Sequence, residues 1–216
     1  MIIFIPIKKN SERVPRKNFR LIGGKPLYKH TIERVNQFKV FVDTDCDEVF
    51  EECNKMQNVK AFYRKEALIG DEVSVCDLIE NFIINYNITE KICQMHVTSP
   101  FIKSKTLEEA QEYLSHYDSV ASCDIIQERL WVKSDNCYLP VNHNPEILLP
   151  TQKLEKMYKE NSIFYMFDPQ KFLKVKKRIL ENNFFYQCNF PENIDIDYEK
   201  DWNTCVEVYK SQIIKI

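Results

Sequence analysis

Glycine is nearly missing from this chain, three residues in 216, which excludes glycine-rich linkers and leaves most loops to turn on other residues. A long apolar run is missing too. Nothing approaches the roughly 18 to 20 consecutive apolar residues that span a bilayer, and the short apolar stretch at residues 2–5 precedes its charges, the reverse of a secretory signal. Neither sign of charge dominates. Thirty basic residues against 32 acidic ones leave a net charge of −2, so the molecule as a whole has no field suited to nucleic acid or an anionic membrane. The eight cysteines, at 46, 53, 76, 93, 123, 137, 188 and 205, contain no CxxC pair and lie mostly within apolar segments, which favours buried free thiols over a disulfide framework. Among His30, His96, His116 and His143 only His96, three residues after Cys93, comes near zinc-ligand spacing, and no structural zinc is expected. These absences predict a cytoplasmic protein whose partners are neither nucleic acid nor membrane.

What is present is enough for a core. At 44% hydrophobic residues, a chain of this length suits a single α/β domain over residues 1–216. Short β-branched and aromatic runs alternate with longer amphipathic ones, the signature of βαβ units. Residues 2–5 read as a strand buried on both faces of a parallel sheet. Pro26 suits the N1 position of a helix whose apolar face is Leu27, Ile32, Val35 and Phe38. A strand follows at 39–42. Asp45 and Glu48 have capping-box spacing and predict a helix to about Met56. Helices are predicted at 73–86, with Val75, Leu78, Ile79, Phe82 and Ile83 as the buried stripe, at 106–116 and at 199–209; strands at 92–97, 119–122, 162–167, 184–188 and 194–196. Residues 125–150 break the alternation with Pro140, Pro145, Pro150, Trp131, Tyr138, Leu148 and Leu149, and read as a long loop or a protruding arm.

Two constellations carry chemistry. Lys8, Lys9, Arg13, Arg16 and Lys17 crowd the loop after the first strand, which is closed by Gly23-Gly24-Lys25-Pro26. The carboxyl end of such a strand is where open α/β sheets bind ligands, and five cations within ten residues call for an anion such as a triphosphate, unless they form a solvated surface. Asp195 and Asp197, two apart in a strand, would project from one face while Ile194 and Ile196 enter the core. Neighbouring carboxylates repel. A shared Mg²⁺, which takes one or two protein carboxylates and completes its shell with water and phosphate oxygens, relieves them; the plainer reading is a strand end that caps the next helix. Asp43 and Asp45 share the spacing, but Asp45 has a capping role, so no second metal is expected.

Further blocks join these two: VDTDCDEV at 42–49, Arg64 with GDEVS at 70–74, HVTSP at 96–100, DSVAS at 118–122, ENSIFYM at 160–166 and IDIDYEKDW at 194–202. With the N-terminal segment they make seven blocks whose order over nearly the whole chain resembles the sugar cytidylyltransferases. That family of acylneuraminate (CMP-sialic acid) and CMP-Kdo synthetases joins CTP to a 3-deoxy-ulosonic acid and releases pyrophosphate. The resemblance implies a Rossmann-like three-layer α/β/α nucleotidyltransferase fold with a mostly parallel sheet. It also implies a homodimer whose arm, residues 125–150, crosses to the partner's sugar pocket, with CTP as co-substrate and Mg²⁺ as cofactor.

Roles follow by resemblance. Lys8 stands where an arginine usually contacts the triphosphate, Ser11 and Arg13 match the Ser-x-Arg-x-Pro form of the Kdo branch, and Lys17-Asn18 matches the pair in which lysine stabilises phosphate charge and asparagine reads the nucleotide. Asn10, Arg64 and Ser74 join the nucleotide side; His96, Thr98, Ser99 and Asn161 fall on the substrate side; Asp195 and Asp197 match the metal carboxylates. Attack of a sugar hydroxyl on the α-phosphorus moves negative charge onto the departing pyrophosphate, so Lys17, Arg13 and a cation on Asp197 form the expected catalytic set. No general base is assigned.

The chain also departs from the family. Asn10-Ser11-Glu12-Arg13 replaces Gly-Ser-Lys-Gly, with Asn10 able to turn the loop because asparagine tolerates left-handed angles, and with Glu12 pointing to solvent or pairing with Arg16. His96 replaces a glutamine and Ser162 a glycine. Thr151 stands where the sialate branch has an arginine, which leaves nonulosonic acids other than N-acetylneuraminate, Kdo-like octulosonates and small phosphonates open as acceptors. Cytidylyl transfer to a non-sugar acceptor and a catalytically silent nucleotide-binding homodimer are the alternative readings.

Overall fold

The structure is a computed structural model and describes residues 1–11, 13–70 and 72–211; Glu12, and with it the choice between solvent and Arg16, lies outside the described residues, as does Asp71 of the GDEVS block. Strand β1 (Ile2–Ile7) leads through the basic loop and a small hairpin, β2 (Leu21–Ile22) with β3 (Lys25–Pro26), into helix α1 (Leu27–Val35). Then come β4 (Lys39–Thr44), α2 (Asp47–Cys53), β5 (Val59–Tyr63), α3 (Val75–Asn85), β6 (Ile92–Met95), α4 (Ser104–Glu112) and β7 (Ser119–Ile126). A second hairpin, β8 (Trp131–Ser134) with β9 (Cys137–Pro140), precedes β10 (Met157–Phe167), α5 (Pro169–Val175), β11 (Asn183–Gln187) and α6 (Glu199–Lys210).

Seven strands form one sheet in the order β11-β7-β10-β6-β1-β4-β5. β10 runs antiparallel to both neighbours, and every other pairing is parallel. Strand alternation splits the core in two. Ile3, Ile5 and Ile7 pack with Tyr28, Ile32 and Val35 of α1, Val49 of α2 and Leu107 of α4, whereas Ile2 and Phe4 pack with Leu78, Ile79 and Phe82 of α3 and Phe172 of α5. Helices therefore cover both faces, the three-layer arrangement. A third cluster, built on Ile22, Phe101, Ile196, Trp202 and Cys205, ties α6 to the end of the sheet. The cysteines are free, and six of the eight are buried. No helix among the described residues is long and apolar enough to cross a membrane.

Several elements differ from the sequence-based expectation. Pro26 is the N-cap rather than N1, because its extended backbone still pairs β3 with β2. Asp45 caps nothing: α2 begins two residues later, and the carboxylate instead accepts the backbone N–H of Lys9 at 2.6 Å, holding the start of the basic loop. Ser74, with Asp77, forms the true capping box of α3. Residues 194–196 are not a strand; one backbone bond, Ile196 N–H to the Thr98 carbonyl at 3.0 Å, fastens them to the segment after β6. β7 and β10 both run longer than expected because they extend one another, Met157 opposite Ile126, past an irregularity between Glu160 and Tyr165. Residues 125–150 contain the β8–β9 hairpin, so they are more than a loop, and its strands pair only with each other among the described residues.

Candidate active site

The basic loop doubles back over the carboxyl end of β1. Val14 is fully buried and anchors it, while the backbone N–H of Lys17 bonds the Val14 carbonyl and a short 3₁₀ turn follows at Lys17–Phe19. The left-handed residue of the turn is Arg16, φ 52°, and not Asn10 as expected. The Arg16 guanidinium lies over the Phe19 ring, 5.8 Å away. Asn18 is buried and its amide donates to the Lys8 carbonyl at 2.9 Å, clamping the two ends of the loop together.

The opposite wall is the segment after β11. Ile196 is buried in the α6 cluster and Ile194 packs partly against it, so the flanking Asp195 and Asp197 both face the cleft although the segment is no strand. The two walls touch. Arg13 Nη2 lies 2.8 Å from Asp197 Oδ1, Lys17 Nζ lies 3.8 Å from the same oxygen, and Lys17 also donates to the Ile196 carbonyl.

The resulting cleft encloses about 350 Å³. Lys8, Asn10, Ser11, Arg13, Lys17 and Asn18 line one side; His96, Thr98 and Ser162 form the floor; Asp195 and Asp197 close it. Ten expected site residues are thus brought together, and four are not at this cleft. Arg64 is buried in an ion pair with Asp43, Nε to Oδ1 at 2.5 Å. Ser74 is exposed at the start of α3. Ser99 is fully buried. Asn161 lines an adjoining hollow of about 420 Å³ that shares Asp195 and Asp197 with the cleft.

That second hollow is organised by Asp124, a residue without a distinguishing motif. Its Oδ1 accepts from Asn161 at 3.1 Å and from Asn193 at 3.0 Å, and Lys159 pairs with the same carboxylate. The side-chain oxygen Oδ1 of Asn161 is buried and without a hydrogen-bond partner among the described residues.

Charge at the site is tuned by burial. Desolvation pushes the Asp195 carboxyl up to about 6, with Thr98 opposing and the Asp197 charge adding. Its Oδ1 is buried without a hydrogen-bond partner. Burial also lowers the Lys17 ammonium, against the pull of Asp197 and Asp195. His96 is held down at about 4 by burial, with Arg178 and Lys17 repelling its proton, so the imidazole is neutral at physiological pH. Among the described residues no group of three or more His, Cys, Asp or Glu side chains could hold a metal. An orphaned carboxylate oxygen on one of two neighbouring aspartates that line a phosphate-sized cleft nonetheless fits a hard cation that draws the rest of its shell from water and ligand oxygens.

Comparison with known proteins places this geometry in a family. The family model described as cytidylyltransferase matches residues 2–215. The chain is 26% identical over 212 residues to the N-acylneuraminate cytidylyltransferase of Streptococcus agalactiae, covering 93% of this chain and 51% of that one, so it spans about half the length of these relatives. It is likewise 26% identical over 222 residues to the CMP-N,N'-diacetyllegionaminic acid synthase of Legionella pneumophila, covering 94% and 93%. In structure it resembles a CMP:2-keto-3-deoxy-manno-octonic acid synthetase solved in complex with CTP, with a TM-score of 0.71 at 16% identity over 98% of this chain and 99% of that one. At that identity the likeness speaks for the fold, which is a Rossmann-like α/β nucleotidyltransferase fold.

Proposed function

Because the chain belongs to the cytidylyltransferase family, we propose that it transfers CMP from CTP to an acidic sugar, a nonulosonic or related ulosonic acid, and releases pyrophosphate. The observation that carries this reading is the meeting of Arg13 and Lys17 with Asp197 across one cleft. Cations aimed at a triphosphate and an acid able to hold a cation are the two things that phosphoryl transfer asks of a protein.

The residues divide the work by position. The cationic wall of Lys8, Arg13 and Lys17 receives the triphosphate, and the adjoining hollow of Asn161, Asn193 and Lys159 receives the acid. A hydroxyl oxygen of the acid attacks the α-phosphorus and gives up its proton to water, the bond to the bridging oxygen breaks, and Lys17 and Arg13 stabilise the charge that collects on pyrophosphate. Lys17 is suited to this because burial weakens its hydration while its bond to the Ile196 carbonyl fixes its direction. Asp195 and Asp197 would hold Mg²⁺, which when bound neutralises phosphate charge and templates the two substrates.

The same reading covers one domain over residues 1–216, a cytoplasmic setting and a homodimer. Support for the dimer lies in residues 125–150, where Trp131, Val132, Tyr138, Ile147 and Leu148 are exposed, Leu148 by 85%, on a segment too small to bury them itself. The testing experiment is pyrophosphate release from CTP with a panel of nonulosonic acids, octulosonates and phosphonates. Release with at least one sugar acid is expected; release with phosphonates alone, or CTP binding without release, overturns the reading.

A further inference from the structure

Beneath the cleft floor lies a side chain that no motif singled out. Arg178 sits half-buried between α5 and β11 and reaches back under the sheet, its guanidinium 3.7 Å from the centre of the Tyr165 ring and its Nη1 2.8 Å from Gln94 Oε1. Gln94 is fully buried on β6, directly opposite Tyr165 of β10. Two residues on along the same face is His96, whose Nε2 lies 3.1 Å from Gln94 Nε2.

Donor and acceptor bookkeeping leaves one arrangement. A guanidinium only donates, so the amide of Gln94 must turn its oxygen to Arg178 and its NH₂ to His96. An NH₂ group only donates, so His96 Nε2 must accept. A neutral imidazole that accepts at Nε2 carries its proton on Nδ1. Among the described residues no hydrogen bond engages Nδ1, and the ring lines the cleft. Burial and the nearby Arg178 and Lys17 charges keep the second proton off the ring.

We propose that Arg178 is a positioning residue of the cleft: by orienting Gln94 it locks His96 in the Nδ1–H tautomer, so that the floor offers a fixed N–H donor to an oxygen of the bound nucleotide or acid. Arg178 acts on a second floor residue as well. The Tyr165 ring that it covers carries a hydroxyl that donates to Glu160 and so accepts from the Ser162 hydroxyl at 3.1 Å, and Ser162, held at φ 61°, is another floor residue of the cleft. His96 and Ser162, two of the positions at which the chain departs from the family pattern, thus share one support.

The mechanism deepens the proposed function and rests on it for the identity of the ligand, but the tautomer is measurable in the free protein. Nitrogen-15 NMR of histidine-labelled protein near pH 7.5, with His96 assigned through His96→Gln, reads the protonated nitrogen directly. His30 is an internal standard of the opposite kind, since its Nε2 faces the Ile22 carbonyl at 2.8 Å and must donate. His96 is expected as Nδ1–H. Gln94→Glu replaces the donating NH₂ by a carboxylate oxygen and should move His96 to Nε2–H or to the doubly protonated ring, and Arg178→Met should give a mixture, with His30 unchanged in both.

An Nε2–H ring in the parent protein, or an Nδ1–H ring that persists in Gln94→Glu, overturns the proposal. Adding CTP or an acid that the enzyme turns over should shift the His96 Nδ1 signal; if neither does, the donor role is wrong even where the tautomer is right. In turnover, Arg178→Met should raise KM for the ligand that shifts the signal by up to about tenfold, the effect of one lost hydrogen bond, with kcat little changed. A fall in kcat at constant KM contradicts a positioning role. Absence of any CTP turnover would remove the proposed function and leave the tautomer result standing.

Discussion

Asp197 is the side chain through which the two walls of the cleft meet, and it is the residue whose loss should be felt most in turnover. Asp197→Asn keeps the size of the side chain and removes its charge, so we expect a folded protein with turnover reduced by at least about a hundredfold, measured as initial pyrophosphate release. Lys17→Ala is expected to raise KM for CTP more than KM for the acid; an unchanged CTP dependence would place the loop away from the phosphates. Asp195 makes a prediction of the opposite sign for stability. Its folded pKa, about 6, lies above the ordinary carboxyl value, so its favourable contribution is present below about pH 4 and is lost as pH rises through 6. Without divalent metal, Asp195→Asn should therefore be more stable than the parent at pH 7.5, by on the order of 2 kcal/mol, with the difference vanishing near pH 4 in chemical denaturation. At this scale much was legible. Lys17, Arg13 and Asp197 could be picked out because charge crowding and carboxylate spacing are visible in one dimension, whereas Arg178, Gln94 and Asp124 work through partners that are distant in sequence and carry no local mark.

At the scale of elements, periodicity located the long helices but not their ends. α3 begins at Ser74 because its hydroxyl accepts the Asp77 N–H at 3.2 Å while Asp77 caps the Ser74 backbone in return. Ser74→Ala should cost about 1 kcal/mol of stability, read from denaturant midpoints at unchanged slope. Ser74→Asp, which can still cap, should restore it, and a changed KM for CTP in Ser74→Asp would give the residue a nucleotide role as well. Asp45 misled because the same carboxylate that can cap a helix can also hold the Lys9 amide, and nothing local decides between the two. β5 and α5 escaped notice for different reasons. The first is a five-residue edge strand with two exposed side chains, while the second was signalled by Asp168-Pro169, an N-cap followed by a proline at N1, and is short enough to lack a clear apolar stripe.

For the whole molecule, the relevant quantity is the apolar surface left uncovered along residues 125–150. The hairpin is an ordered unit, closed at its base by Asn142, which accepts from the Leu130 amide at 2.9 Å and donates to the Glu128 carbonyl at 2.8 Å. Such a scaffold holds Trp131 and Val132 outward at no further ordering cost. Sedimentation is expected to give a dimer, and Trp131→Glu combined with Leu148→Glu should shift it toward monomer while leaving the far-ultraviolet circular dichroism unchanged; a dimer that survives both charges would move the interface elsewhere. Sequence composition pointed to this segment through its prolines and exposed aromatics, but the strand pairing that stiffens it depends on a turn at Asp135, φ 47°, that only the fold reveals.

The contact of Arg13 and Lys17 with Asp197 also bears on how the cleft is filled. In that contact the groups suited to an anion and the group suited to a cation satisfy one another, so a lone phosphate must pull arginine and lysine away from their acid, and a lone metal ion must pull the acid away from them. A nucleotide that arrives already chelated gives each partner its replacement in the same event. The ion pair thereby latches the cleft against half-loads, and affinity for either guest should climb when the other is supplied, each by the same factor.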